Sequence, residues 1–186
     1  MPPDFYAQPI LDLSRALIGC ELLVDGVGGL IVETEAYEAG DPASHSFVGP
    51  TPRNRAMFGP AGHAYVYRIY GHWCFNIVGG RERGAAALVR ALAPSRGLDA
   101  MAQRRGAPDP RKLCGGPGRL CQALGVTIAH DGLALDQPPF ALLPREGEPE
   151  IVAGPRIGIT RAAERPWRFG LAGSPFVSRP FPRLRV

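Results

Sequence analysis

Lysine is almost missing from this chain of 186 residues: Lys112 is the only lysine among 21 basic side chains, and the others are arginines. A reaction that requires an amine nucleophile would have only Lys112 and the N-terminus to supply it. Long apolar runs are missing too, because no stretch approaches the ~18 residues that a membrane-spanning helix needs. The first residues, Met1–Asp4, lack the basic and apolar regions of a signal peptide. We therefore expect no membrane association and a cytoplasmic location.

The cysteine spacing of a zinc site is missing as well. The four cysteines (Cys20, Cys74, Cys114 and Cys121) include no C-x-x-C pair, which predicts reduced core thiols rather than metal ligands. The glycine-rich segment Cys114–Leu120 lacks the G-K-[ST] of a Walker motif. The sequence therefore indicates neither a metal ion nor an organic cofactor.

Glycine (24 residues) and proline (20 residues) make up nearly a quarter of the chain, which predicts short elements joined by many turns. Apolar runs occur throughout without a linker or repeat, so we expect one domain over residues 1–186. Expected strands cover 17–24, 30–37, 63–70, 73–78, 85–93 and 151–160. Expected helices cover 9–16, 96–105 and 119–124, with loops at 41–62 and 136–149, a glycine-rich turn at 111–118 and a tail of little pattern at 174–186. The predicted fold class is α+β: a single mixed domain with a mostly antiparallel β-sheet flanked by short helices.

Two acids and an aromatic end one of these strands. Side chains alternate along a strand, so Glu33, Glu35 and Tyr37 share one side. Two carboxylates would be costly to bury without partners, so this side is either a solvated edge or the floor of a site. His45 follows in the next segment. A carboxylate beside aromatic rings loses hydration and can serve as a general base, so we favour a site.

Aromatic and basic residues around this strand point to a polyanion. Tyr65 and Tyr67 share a strand face, and Tyr70 stands at the Tyr70-Gly71 turn, where a projecting ring could stack on a nucleobase. Arg90 lies inside an apolar strand and needs an anionic partner if it is buried. The candidate DNA-binding arginines are Arg53, Arg55 and Arg119. The net charge of +4 is compatible with nucleic acid.

Several blocks of sequence together resemble the alkyladenine (3-methyladenine) DNA glycosylases of the mammalian and Bacillus type. The matching blocks begin with Ile31–Tyr37, Thr51–Phe58 and Tyr65–Tyr67, and continue with Ile69–Gly71, Leu88–Leu92, Leu113–Leu124 and Gly173–Pro175. The resemblance covers roughly residues 10–180 in the same order. It implies a curved sheet like that of a formyltransferase C-terminal domain, and a bacterial, nucleoid-associated enzyme that acts on double-stranded DNA containing damaged purines. We expect a monomer, because a dimer interface would compete with the inferred DNA-binding face.

The resemblance also implies residue roles. Glu35 would activate the water that replaces a flipped-out purine, without cofactor or metal, and Arg90 would hold that nucleotide's phosphate or the attacking water. Residues lining the base pocket would be Tyr37, His45, Tyr67 and Asn76. Tyr70 would fill the gap left in the duplex. Family members carry one more residue between Tyr70 and Asn76, so we expect either a shortened hairpin tip or a displaced Asn76.

Two other functions are open to the same residues. One is a metal-dependent nuclease that holds Mg²⁺ on Glu33, Glu35 and His45. The other is a non-catalytic nucleic-acid-binding module, for which Glu35 would be dispensable. A glycosylase that also cuts the strand uses an amine as its nucleophile. The single lysine, Lys112, is distant from Glu35 in sequence, which favours direct attack by water and no strand cleavage.

Overall fold

The computed structural model describes residues 1–182, so the last four residues of the expected tail lie outside the described part. The helices are α1 (Pro3–Tyr6), α2 (Ile10–Ala16), α3 (Leu98–Arg105) and α4 (Pro117–Leu124). The strands are β1 (Glu21–Val24), β2 (Val27–Tyr37), β3 (Ala64–Ile69), β4 (His72–Val78), β5 (Ala86–Arg96), β6 (Phe140–Leu143), β7 (Ile151–Gly154) and β8 (Arg168–Leu171). Short 3-10 turns cover His45–Val48, Arg55–Phe58, Pro110–Lys112 and Ile128–His130.

The eight strands form one sheet in the order β3-β4-β5-β2-β1-β6, and β8 joins β7 to β2. Each of these strand pairs is antiparallel. Two-residue turns, Asp25-Gly26 and Tyr70-Gly71, close the β1–β2 and β3–β4 hairpins, and all four residues have positive φ. This conformation matches the twist of the strands in tight hairpins. The predicted α+β class with a curved, antiparallel sheet is confirmed.

The two faces of the sheet have different neighbours, and side-chain alternation decides which residue meets which. The main core contains Ala36, Val66, Phe75 and Val89, one from each of the four neighbouring strands. Helices α2 and α4 pack on this part of the sheet. The residues between these core positions point to the opposite face, where a smaller cluster that includes Tyr65 supports the candidate site.

Several expected elements differ from the observed ones. The strand expected at 151–160 ends at Gly154, because Pro155 has no N–H to continue the ladder. The strand expected at 17–24 begins only at Glu21, since a turn through Gly19 (φ 87°) follows α2. The expected loop at 136–149 contains β6, and neither α1 nor β8 was predicted. Helix α4 begins at Pro117, two residues earlier than expected, in agreement with the preference of proline for the first helical position.

Among residues 1–182, no helix is both long enough and apolar enough to span a membrane.

Candidate active site

A cavity of about 370 Å³ lies on the sheet face opposite the main core. Alternate residues of four strands line it: Glu35 and Tyr37 from β2, Tyr65 and Tyr67 from β3, Cys74 and Asn76 from β4, and Leu88 and Arg90 from β5. A loop through Ile157, Gly158 and Ile159 forms a further wall, and His45, Tyr70 and Pro117 also contribute to the lining. The cavity therefore combines aromatic surfaces with one buried carboxylate and one buried guanidinium.

Glu35 has no exposed surface, and each of its carboxylate oxygens has a donor. The Ile157 backbone N–H donates to Oε1 over 2.7 Å. The Tyr37 hydroxyl and the Arg90 guanidinium both donate to Oε2, over 2.9 and 3.2 Å. Burial raises the pKa of the Glu35 carboxyl, whereas the charge of Arg90 and the hydrogen bonds from Ile157 and Tyr37 act in the opposite direction.

Glu33 is equally buried, but its partners differ from those of Glu35. The Nε atoms of Arg90 and Arg168 lie 3.1 and 3.0 Å from its Oε1. Ser178 donates to it through both its hydroxyl, over 2.8 Å, and its backbone N–H. Because both carboxylates contact Arg90, they lie on one side of β2, as the alternation predicted. Neither acid lies on a solvated edge: Glu35 lines the cavity, whereas Glu33 is buried beside Arg90 and is not part of the lining.

Three aromatic rings pack together in the cavity wall. The His45 ring lies 4.5 Å from the Tyr67 ring at an angle of 73°, and its Nδ1 is 2.9 Å from the Tyr65 hydroxyl. Burial, and then the charge of Arg53, lower the pKa of His45. Burial raises the pKa of Tyr65, and also that of Tyr67. At neutral pH the wall therefore presents neutral phenols and a neutral imidazole.

Comparison with known proteins identifies the family. The family model for methylpurine-DNA glycosylase matches residues 4–175. A protein of Rhodopseudomonas palustris strain HaA2 is 61% identical over 179 residues, which cover 95% of this chain and 89% of that protein. One from Nitrosospira multiformis is 59% identical over 180 residues, which cover 96% of this chain and 93% of that protein. Both carry the name "Putative 3-methyladenine DNA glycosylase". This chain belongs to the methylpurine-DNA glycosylase family.

Membership of the methylpurine-DNA glycosylase family confirms the predicted family and the predicted enzyme class, a DNA glycosylase. It also makes DNA the expected binding partner, in agreement with the prediction. The nuclease hypothesis required Glu33, Glu35 and His45 to surround one Mg²⁺ ion, and the structure does not bring them together in that way. Glu33 and Glu35 face arginines, His45 faces Tyr65, and no group of three or more His, Cys, Asp or Glu side chains in residues 1–182 is arranged to hold a metal ion.

The hairpin tip of this glycosylase is short, and Asn76 remains in the cavity wall. Tyr70 and Gly71 form the whole turn, and the Tyr70 side chain is 93% exposed. Asn76 pairs with Tyr65 across the hairpin and donates from its side chain to the Tyr65 carbonyl over 3.0 Å. Asn76 is therefore not displaced from the cavity, and a tip shorter than that of other family members stays a prediction.

The three candidate DNA-binding arginines are exposed, and none of them lines the main cavity itself. Arg53 lines a shallow depression that shares His45 and Tyr67 with the main cavity. Arg119 lies in the first turn of α4, whose Pro117 lines the cavity. Arg55 begins the Arg55–Phe58 turn, whose Met57 lines the cavity. The prediction that Arg90 needs an anionic partner is confirmed, because it is 6% exposed and pairs with both glutamates.

Sequence reasoning missed the groups that support Glu35 and Glu33 from outside the central strands. These are the Ile157 N–H, with Arg156 beside it, and Arg168 and Ser178, which surround Glu33. The backbone donor has no sequence signal, and 151–160 was expected to be a strand. The resemblance ran through Gly173–Pro175 and marked this part of the chain without indicating which atoms reach the site.

Proposed function

We propose that this methylpurine-DNA glycosylase removes alkylated or deaminated purines from duplex DNA and leaves an abasic site without cutting the strand. The damaged nucleotide rotates out of the helix and its base enters the 370 Å³ cavity. The observation that carries the proposal is the position of Glu35: a fully buried carboxylate, held by three donors, at the floor of an aromatic-lined cavity.

In the proposed reaction, Glu35 activates water. Oε1 accepts one hydrogen bond, from Ile157, and retains a lone pair to receive a proton. The water oxygen bonds to the sugar C1′ as the C1′–N bond breaks, the departing base takes the bonding electrons, and the water proton passes to Glu35. The carboxylate also stabilises the positive charge that develops on the sugar. Arg90 holds the carboxylate in position and favours its ionised form.

The aromatic wall gives a reason for selectivity toward damaged bases. Tyr37, His45 and Tyr67 offer faces and edges on which a flipped purine stacks, and an electron-poor alkylated purine is attracted to an electron-rich ring. Asn76, in the wall beside Tyr65, crowds the 2-position of a purine and so disfavours the amino group of guanine. The proposed substrates are 3-methyladenine, hypoxanthine and ethenoadenine, which lack a 2-amino group, and 7-methylguanine, which has one but gains attraction to the aromatic rings from its positive charge.

Contacts to duplex DNA come from the cavity mouth. The exposed Tyr70 ring takes the space that the flipped base leaves, and Arg53, Arg55 and Arg119 contact phosphates. Residues 1–186 act as one domain and as a monomer, in the bacterial cytoplasm at the nucleoid. No metal or cofactor takes part.

A base-release assay on duplex oligonucleotides with one damaged purine each tests the proposal. The reactions contain EDTA, and half of each sample receives alkali. We expect strand breaks only after alkali, because an abasic site without lyase chemistry is stable until base cleaves it. Breaks before alkali would contradict the monofunctional mechanism, and the absence of release from every lesion would contradict the glycosylase activity proposed here.

A further inference from the structure

A second buried ion pair lies behind the cavity and takes no part in the proposed chemistry. The side chains of Arg156 and Asp41 are both 0% exposed, and the guanidinium binds both carboxylate oxygens. A buried pair of this kind gives little net stability, because desolvation of the two charges offsets their attraction. Its position at the junction of three cavity walls suggests another use.

Arg156 joins strand β2, the first wall of the cavity, to the loop through Ile157, the second. Its guanidinium donates to the Ala36 carbonyl at the end of β2 over 2.9 Å, and its Cζ lies 4.7 Å from the centre of the Tyr37 ring. The next residue in the chain is Ile157, whose N–H donates to Glu35 over 2.7 Å. The same guanidinium also contacts the Ala162 carbonyl, over 3.4 Å, where φ is 47°. Arg156 therefore fixes both ends of the loop that carries Ile157–Ile159.

Asp41 joins β2 and the Ile157 loop to the third wall of the cavity, the turn that carries His45. Its carboxylate accepts from the Ala43 N–H over 3.1 Å, and its carbonyl accepts from the Ser44 N–H over 2.8 Å. These bonds shape the turn that leads into the His45–Val48 segment. One ion pair thus connects the strand that carries Glu35, the loop that delivers the Ile157 N–H and the turn that presents His45.

We propose that Arg156 and Asp41 are positioning residues for base release, which hold the Ile157 N–H on Glu35 and keep β2, the Ile157 loop and the turn before His45 in place around the base pocket. This inference rests on the proposed glycosylase function. Neither residue touches the substrate. The planar guanidinium can bind two carboxylate oxygens and two carbonyls at once, whereas a lysine ammonium has three donors at a single point and cannot span them.

Arg156→Lys is the main variant, because it keeps the positive charge opposite Asp41 but removes the planar set of guanidinium N–H donors. Single-turnover base release is measured against pH, with substrate binding and thermal melting alongside. The Ile157 hydrogen bond lowers the pKa of Glu35, so its loss raises that pKa. We expect the acid limb of the rate profile to move to higher pH by about one unit, the order of one hydrogen bond to a charged group.

Arg165→Lys is the matched control. Arg165 also lies near Asp41, at 3.8 Å, but its side chain is about one-third exposed (34%). Its contact with the loop is a bond from its backbone N–H to the Ala162 carbonyl, which the change to lysine retains. Its replacement should leave the pH profile unchanged. Asp41→Asn keeps the shape of the side chain but loses the charge, and should move the acid limb in the same direction as Arg156→Lys. A lower melting temperature with an unchanged pH profile would identify a purely structural pair and overturn the proposal.

A measurement on the unmodified protein applies even if both variants fail to fold. The amide nitrogen shift of Ile157 should titrate with the same midpoint as the acid limb of base release. An Ile157 shift that stays flat through that limb would overturn the assigned contact with Glu35. Absence of base release from the unmodified protein would instead refute the proposed function, so the two failures are distinguishable.

Discussion

Two arginines on β5 allow a matched test of the charge arrangement beneath the cavity. Arg90 and Arg96 each place Nε close to a glutamate oxygen, at 3.1 Å from Glu33 and 2.9 Å from Glu21. They differ in burial: the Arg90 side chain is 8% exposed and the Arg96 side chain is 57% exposed. The change to glutamine at each position removes one charge from the same strand.

Arg90→Gln should be strongly destabilising. It leaves two buried carboxylates near each other, with Glu35 retaining only the Tyr37 and Ile157 donors. Removing one partner of a buried pair costs about 3–5 kcal/mol in the free energy of unfolding. In a protein of this size, that corresponds to a fall in melting temperature of roughly 6–20 °C. Arg96→Gln removes a solvent-screened pair and should cost at most about 1 kcal/mol.

The pH dependence of this loss has a definite sign. Arg90 lowers the pKa of Glu35, so its removal raises the folded-state pKa further above the unfolded value. The unpaired carboxylate is charged, and therefore destabilising, only above that pKa. Thermal melts of both variants should show that the deficit of Arg90→Gln shrinks as the pH falls, while that of Arg96→Gln remains small. Equal losses in the two variants would refute the reasoning.

Three other changes test the remaining parts of the site. Tyr37→Phe removes a hydroxyl that donates to Glu35, so the acid limb of base release should move to higher pH, as measured by single-turnover rates; an unmoved limb would separate Tyr37 from the base. Tyr70→Asn removes the exposed ring while keeping a residue suited to the positive φ of the turn, and duplex binding should weaken by about 5- to 150-fold with the melting temperature unchanged; an equal loss on single strands would argue against insertion. Arg119→Gln should reduce the slope of log affinity against log salt by about one, in binding titrations at several salt concentrations, and an unchanged slope would remove Arg119 from the phosphate contacts.

The central sheet was predictable because period-two patterns and turn residues agree along it. The hairpins at Asp25-Gly26 and Tyr70-Gly71 carry local signals, and Glu33, Glu35 and Arg90 stand out as charges within apolar strands. Alternation alone placed the two acids on one side of β2. The sequence blocks of the family supplied the rest of the expected site, including Asn76.

The segments after residue 136 were less predictable, because their positions depend on contacts with distant residues. Strand β8 is four residues long and forms between β2 and β7, so its neighbours, rather than its own pattern, define it. Arg156 was expected within a strand at 151–160, yet it follows the end of β7 and is buried against Asp41, 115 positions away. The Ile157 donor belongs to the backbone, which no side-chain pattern can indicate.

Glu35→Gln tests the central claim most directly. Glutamine keeps the size of the side chain and a carbonyl oxygen that accepts hydrogen bonds, but it cannot take a proton from water. Single-turnover base release and equilibrium binding are measured on the same duplex with one damaged purine. We predict that the variant binds this duplex as well as the unmodified protein does and releases no base. Base release by the variant at the unmodified rate would contradict the assignment of Glu35 as the catalytic base.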